Sequence, residues 1–231
     1  MKNIILPRLV ITGSEGLIGK HLVNHFKKNF EILRLDLALG HDLTNDSFVT
    51  EWFKKNRNLY GIIVCHAYNP TPYEGSGKIE PVDVPLSEIR QYLEINTVSA
   101  FNVCRHFIKN NKRGAIINLS SIYGELSPHH DIYNNYVKPI GYSLSKGAVN
   151  IMSKYLATYY APNYRINTVV LSGIYDPKMK DDFVSNYSKH VPMKRMMNLD
   201  EVIPVFEFLL NKKPSYATGA SFYIDGGWTA W

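Results

Sequence analysis

Only two cysteines occur in the sequence, Cys65 inside the apolar run GIIVCHAY and Cys104 inside FNVCRHF. So few cannot build a disulfide framework, and thiols in such apolar settings suit buried free cysteines in a reducing compartment. No apolar run approaches the length that crosses a bilayer. Pro7 and Arg8 interrupt MKNIILPRLVITG before a signal-peptide core can form, so the expected location is the cytoplasm and no membrane is expected as a partner. Charge of one sign is concentrated nowhere. The net charge of +6 comes from 26 Lys and Arg against 20 Asp and Glu, but the basic pairs Lys27-Lys28, Lys54-Lys55, Lys112-Arg113 and Lys212-Lys213 fall where helices should end, as dipole partners or solvated surface. Without a basic cluster or a binding motif, nucleic acid is not an expected partner either. Repeats, low-complexity tracts and linkers are also missing. The expectation is one domain over 1–231, with 45% hydrophobic residues to fill its core.

What is present is an alternation of short apolar runs with longer periodic ones. RLVITG, EILRLDL, YGIIVCH, GAIINLS, RINTVVLS and ASFYID read as strands. Helices are expected at 17–28, in TNDSFVTEWFKK opened by Thr44, near 86–111, 142–160 and 199–211. The strands are apolar on both faces, which marks a parallel sheet covered by helices. The fold class is therefore α/β, a doubly wound parallel sheet.

Between the first strand and first helix, ITGSEGLIGKHL supplies Gly13, Gly16 and Gly19. A tight turn, close backbone approach and exposed helix N–H groups at that place suit a pyrophosphate, although a glycine-rich turn can also merely pack. Asp36 ends the next strand, where a carboxylate can accept from ribose hydroxyls, and this context favours dinucleotide binding. Asp36 would repel a 2′-phosphate, making NAD the expected cofactor. Arg34, on the same strand face, keeps NADP open. Asp42 could hydrogen-bond an adenine amino group or cap the following helix.

GYSLSKGAVN places Tyr142 four residues before Lys146, hence on one helix face. A cation beside a phenol favours the phenolate, so the pair is a candidate proton-transfer device.

Taken in order, TGSEGLIG, INTVSAF, NLSSIYG, YSLSK and IDGGW resemble the short-chain dehydrogenase/reductase family over nearly the whole chain. The resemblance implies a Rossmann-type fold, a nicotinamide cofactor and a catalytic set of Asn96, Ser121, Tyr142 and Lys146. Tyr142 would be the general acid or base, Ser121 would hold the substrate oxygen, Lys146 would anchor the nicotinamide ribose, and Asn96 would hold a water that relays protons through Lys146. The cofactor contacts implied are Gly13, Ser14, Glu15, Gly16, Leu17, Ile18 and Gly19 in the first turn, Asp36, Asp42 and Leu43, then His66 and Ala67, Tyr142 and Lys146, and Ser172, Gly173 and Ile174. A homodimer or homotetramer, formed through the catalytic-site helices and C-terminal strands, is implied as well, with Trp228 and Trp231 as interface candidates.

Several features depart from the family pattern. The spacing TGxxGxxG looks like the extended branch, whereas the length and the IDGGW ending look like the compact one. His66-Ala67-Tyr68 replaces the frequent Asn-Ala-Gly, altering the wall near the adenosine ribose, and Ser172-Gly173 replaces Pro-Gly. The loop at about 122–141, IYGELSPHHDIYNNYVKPIG, is long and rich in Tyr, His and Asn, suited either to recognising a hydroxylated substrate or to a surface or oligomer contact. With its flanks, the loop resembles a subgroup of flagellin- or polysaccharide-modification oxidoreductases. The expected function is NAD(P)-dependent interconversion of a secondary alcohol and a ketone on a sugar or nonulosonate-like small molecule. A sugar-nucleotide epimerase or dehydratase and a non-catalytic dinucleotide-sensing module are the alternatives. No metal is expected: His21 and His25 share a helix face without a carboxylate or thiol partner in spacing, and His129-His130 lacks a ligand signature.

Overall fold

The computed structural model describes residues 5–70, 79–133, 136–211, 213 and 216–230. Its frame is one six-stranded sheet in the order β2-β1-β3-β4-β5-β6. The strands are β1 (Arg8–Thr12), β2 (Glu31–Leu35), β3 (Leu59–Val64), β4 (Gly114–Ser121), β5 (Tyr164–Leu171) and β6 (Ser221–Ile224). Every pairing is parallel. Parallel neighbours require crossovers, and these are α1 (Leu17–Phe26), α2 (Asp46–Lys55), α3 (Leu86–Leu93), α4 (Ser99–Asn110), α5 (Ile140–Tyr160), α6 (Asp181–His190) and α7 (Ile203–Leu209).

Successive strand side chains point to opposite faces, and the core divides accordingly. Leu9, Ile11, Ile63, Ile117 and Val169 pack beneath Leu22 and Phe26 of α1 and Phe206 and Leu209 of α7. Val10, Ile62, Val64, Ile116 and Ile166 face Val49 and Phe53 of α2, Val103 and Phe107 of α4 and Leu156 of α5. A third cluster, rich in tyrosine, gathers Tyr92, Tyr123, Tyr133, Tyr142, Tyr187 and Trp228 around Val170 of β5. Both sheet faces are thus covered, which is why the strands read as continuous apolar runs rather than alternating ones.

The helices differ from the sequence reading in four places. The expected helix at 86–111 is interrupted by a π-helical stretch, Glu94–Val98, between α3 and α4. The 199–211 helix opens as a 3₁₀ turn, Leu199–Val202, closed by a capping box of Asn198 and Glu201, and α7 itself is short. Helix α2 is capped by Asn45, whose side chain accepts from Phe48 N–H, and not by Thr44, whose hydroxyl donates to Asp42 instead. Helix α6 was not expected at all.

Candidate active site

The chain leaves β1 for β2 on one side and has β3 on the other, so the crossovers diverge between β1 and β3, where such sheets open a crevice at their C-terminal ends. The glycine turn lies there. Gly13 has φ of +63°, and a Cβ on it would sit 2.7 Å from the His66 backbone nitrogen; a Cβ on Gly19 would sit 2.0 Å from the Gly13 carbonyl oxygen. Gly16 caps α1 with no side-chain hydrogen bond. A side chain at these positions would fill the cradle or break it, and the bare turn against a helix N-terminus fits a pyrophosphate. From it a cleft of about 510 Å³ runs past Lys146, Tyr142 and Ser121 to Ser172, Gly173 and Ile174. Ala67, Leu17 and Ile18 line it too, and Tyr123, Tyr133, Met179, Phe183 and Tyr187 close its outer side.

Ser121 is the last residue of β4, and Tyr142 and Lys146 lie in the first turns of α5, which packs directly on the 3₁₀ turn Ile122–Gly124 that follows Ser121. That packing brings the three side chains together, each under a tenth exposed. Lys146 Nζ donates to the Leu119 carbonyl at 3.0 Å and lies 5.9 Å from the centroid of the Tyr142 ring. Burial pushes the Tyr142 phenol up to about 12 while hydrogen bonding with Ser121 pulls it down. The same burial pushes Lys146 down to about 8. In the protein alone desolvation of the phenol thus outweighs the Ser121 hydrogen bond, and the Lys146 ammonium is directed at the Leu119 carbonyl.

Asn96 does not line the cleft. It is 1% exposed, and its amide is consumed: Oδ1 accepts from Tyr68 N–H at 2.6 Å, while Nδ2 donates to the Tyr68 carbonyl at 3.0 Å and to Ser145 Oγ at 3.0 Å. The π-helical stretch turns it toward the end of β3, a common place for such bulges near functional sites. Asn96 thus joins the exit of β3 to α5, and a side-chain role in holding a relay water is not what this geometry provides.

The expected cofactor contacts separate into two groups. Gly13, Gly16, Leu17, Ile18, Gly19, Ala67, Ser172, Gly173 and Ile174 line the cleft with Tyr142 and Lys146. Ser14, Glu15, Asp36, Asp42, Leu43 and His66 do not. Asp36 Oδ2 accepts from Glu15 N–H at 2.9 Å and Oδ1 from Ala38 N–H at 2.8 Å, so this carboxylate braces the glycine turn. Arg34 is ion-paired to Glu15, with Ser14 also bonded to that carboxylate. Asp42 Oδ1 is engaged by the N–H and hydroxyl of Thr44, and since Asn45 caps α2 the helix-cap reading of Asp42 is corrected; Leu43 is a core residue packed among Leu35 and Val49. His66 turns into the protein between Thr12 Oγ1 and Ser99 Oγ, 2.7 Å from each. Ser99 donates to the Ile95 carbonyl and Thr12 accepts from Cys65 N–H, so the network assigns His66 the tautomer with hydrogen on Nε2. Burial pushes it down to about 4 and keeps it neutral.

Among the described residues, His129, Asp131 and His190 form a group with metal-ligand donor types, but His129 and His190 stack at 4.3 Å against Trp228 and brace the long loop on α6 outside the cleft. Trp228 is accordingly buried within the chain, not available as an interface residue; Trp231, Asn134 and Asn135 lie outside the described residues. His21 and His25 pair with Asp200 and Glu207, carboxylates remote in sequence. The sequence reading missed Lys138, Asn69 and the α6 wall. Lys138 is buried in the cleft, with its ammonium 4.4 Å over the Tyr142 ring and hydrogen-bonded to Asn69. Its position four residues before Tyr142, as the one cation of the long loop, was the available signal.

A family model described as enoyl-(acyl carrier protein) reductase matches residues 17–229. The chain is 28% identical to post-translational flagellin modification protein A of Campylobacter coli over 92% of this chain and 83% of that protein. It is also 28% identical to glucose 1-dehydrogenase 2 of Bacillus subtilis over 99% and 96% of the two chains. The crystal structure of a short-chain dehydrogenase from Leptospira borgpetersenii with bound NAD+ superposes with a TM-score of 0.85 at 25% identity, covering 99% of this chain and 96% of that one. No helix among the described residues is long and apolar enough to cross a membrane. With a family match over most of its length and a short-chain dehydrogenase superposing on its doubly wound sheet, the chain belongs to the short-chain dehydrogenase/reductase family of NAD(P)-dependent oxidoreductases.

Proposed function

We propose that the protein interconverts a secondary alcohol and a ketone on a sugar or nonulosonate-like substrate of surface glycan biosynthesis, in the cytoplasm, with Ser121, Tyr142 and Lys146 as its catalytic groups and Asn96 as the residue that positions them. The observation that carries the reading is the convergence of Ser121, Tyr142 and Lys146 in one cleft that begins at the glycine turn. The nicotinamide, when bound, supplies or accepts a hydride, and the residues that would hold its dinucleotide are the 13–19 turn, Ala67, Lys146 and the 172–174 segment. Tyr142 gives its proton to the carbonyl oxygen in reduction and takes the hydroxyl proton in oxidation. Ser121 donates to the same oxygen and fixes it in line with the phenol. Lys146, buried behind the ring and held by the Leu119 carbonyl, supplies positive charge as the phenolate develops. Asn96 contributes by fixing the backbone at Tyr68 and the start of α5, a positioning role.

Substrate class rests on the outer wall, where Tyr123, Tyr133 and Tyr187 offer aromatic faces suited to a sugar ring, their hydroxyls being held by one another and by Gly173 N–H. The names of the flagellin-modification and glucose dehydrogenase relatives are compatible with it. NAD is favoured over NADP because the Asp36 carboxylate stands at the end of β2, against the glycine turn, where it would repel a 2′-phosphate, and Arg34 is already paired with Glu15. The assembly is a homodimer or homotetramer joined through α4 and α5. The test is nicotinamide absorbance during incubation with a polar small-molecule extract of the source cells plus NAD or NADP, comparing native protein with folded Tyr142→Phe. Cofactor reduction by the native protein alone is expected; equal behaviour of the two proteins with every cofactor form would overturn the reading.

A further inference from the structure

Lys138 is 8% exposed, yet no carboxylate among the described residues forms an ion pair with it. Its ammonium has a neutral amide, Asn69 Oδ1, on one side and the face of the Tyr142 ring on the other. Lys146 stands in the same cleft, and the one acidic residue lining it among the described residues, Asp176, is turned to the N–H of Lys178. Burying an ammonium with so little compensation is costly. The strain shows in its protonation: burial first, and the Lys146 charge second, push Lys138 down to about 7. A side chain needed only to cover Tyr142 would do so more cheaply as Leu or Met. A cation kept in this position is instead matched by a ligand that brings the missing negative charge.

We propose that Lys138, with Asn69, binds a carboxylate carried by the substrate close to its reacting carbon. The inference rests on the oxidoreductase reading of the cleft and names the class of substrate within it, an acidic sugar. One ammonium and one amide donor match the single charge and two oxygens of a carboxylate; a phosphate dianion would leave a charge unmatched. Asn69 lies after β3, on a segment that Asn96 holds through Tyr68, and Lys138 lies just before α5, so the two meet across the mouth of the cleft beside the phenol. A carboxylate placed there sits next to the carbon whose oxygen Tyr142 and Ser121 address, and the ligand's charge in turn keeps Lys138 protonated.

The experiment is equilibrium titration of the NADH-loaded protein, followed by nicotinamide fluorescence, with N-acetylneuraminate against its methyl ester, and with glucuronate against glucose and glucose 6-phosphate. Native protein, Lys138→Met and Lys138→Arg are compared. The acids are expected to bind at least tenfold more tightly than their neutral partners to native protein, the preference to vanish in Lys138→Met and to return in part in Lys138→Arg, with NADH affinity unchanged throughout. No preference in native protein, an equal preference in Lys138→Met, a stronger response to glucose 6-phosphate, or a loss confined to NADH binding would each overturn the assignment. Because the readout is binding, its result is independent of whether Tyr142→Phe abolishes turnover of the extract, and failure of one does not imply failure of the other.

Discussion

Asn96 closes a two-way hydrogen bond with the backbone of Tyr68, accepting from its N–H at 2.6 Å and donating to its carbonyl at 3.0 Å, in the manner of a neighbouring strand. The same amide reaches Ser145 on α5, so one buried side chain joins the end of β3 to the helix that carries Tyr142 and Lys146. Asn96→Ala leaves these groups without partners, at about 1–3 kcal/mol for each one that stays buried. The expected outcome is a lower denaturation midpoint together with a fall in kcat/KM, because Ala67 and Asn69 share the loosened segment. Asn96→Asp should retain the bond from Tyr68 N–H but set a carboxylate against the Tyr68 carbonyl, and so rank with alanine. Unaltered stability in both variants would contradict the positioning role.

The glycine turn separates a steric requirement from a conformational one. Gly19→Ala drives a Cβ to 2.0 Å from the Gly13 carbonyl and forces α1 away from the turn. Overpacking of this kind costs roughly 1–3 kcal/mol, and here the displaced atoms are the cradle itself, so NAD affinity should fall with stability. Gly40, at φ of +79°, has no atom within 4 Å of an added Cβ. Gly40→Ala should cost about 1–2 kcal/mol from the left-handed backbone alone and leave NAD affinity as it was. Calorimetric titration of both variants with NAD checks the contrast.

Tyr142→Phe removes the proton donor and acceptor while keeping the ring that covers Lys138. Loss of one general acid–base group lowers turnover by roughly a hundred- to ten-thousand-fold. The native phenol, held up near 12, is protonated at neutral pH, so it is ready to act as an acid in reduction, and kcat/KM for oxidation should rise with pH through the neutral range. Steady-state rates in both directions test this; a variant within threefold of native would remove Tyr142 from the chemistry.

The legible part of this site was the part written locally. Three glycines between a strand and a helix, and a tyrosine and lysine one helical turn apart, carry their geometry in their spacing, and the structure puts them in one cleft. Strand runs were legible for the same reason, since burial on both faces leaves an unbroken apolar stretch. Lys138 was not, because its significance depends on Asn69, which is 69 residues away in sequence. Asn96 was recognised through its motif, but its amide partners are 28 and 49 residues distant, and these determine what it does. Helix α6 was overlooked although Phe183, Val184 and Tyr187 mark one face of it; its polar remainder gives a weak period, and tertiary contact with Tyr133 and Trp228 fixes it.

His66 makes a pH prediction whose sign follows from its environment. Burial lowers it from 6.5 to about 4, so between those values the unfolded chain binds a proton that the folded one refuses. Stability must therefore rise with pH across about 4 to 6.5, and acidification from pH 7 to 5 should lower the melting temperature. Lys138, held near 7, adds a slope of the same sign at the upper end of this range, and Lys146, held near 8, adds little, so the His66 contribution is read as the difference between native protein and a His66 variant. His66→Asn should be less stable at pH 7, having lost the bridge from Thr12 to Ser99, yet flatter between pH 7 and 5. An identical slope in the two proteins would show that His66 is not kept neutral by the fold.

The outer face of α4 and α5 carries large apolar side chains left exposed by the described residues: Phe101 on α4, and Leu144, Ile151, Tyr155 and Tyr159 on α5, the last three at four-residue steps along one face. Ile151, Tyr155 and Tyr159 are 65%, 69% and 71% exposed. A contiguous patch of this kind on a small protein signals an interaction surface, and a two-fold arrangement would lay each helix against its own copy. Ile151→Glu places a charge in the middle of that stripe, and its symmetry mate places a second charge opposite. Light scattering should then report a smaller species than for native protein at equal concentration, with the circular dichroism spectrum retained. Since Tyr142 and Lys146 occupy the inner face of α5, the dissociated variant should still bind NAD; a native protein that is already monomeric would remove α4 and α5 as the assembly surface.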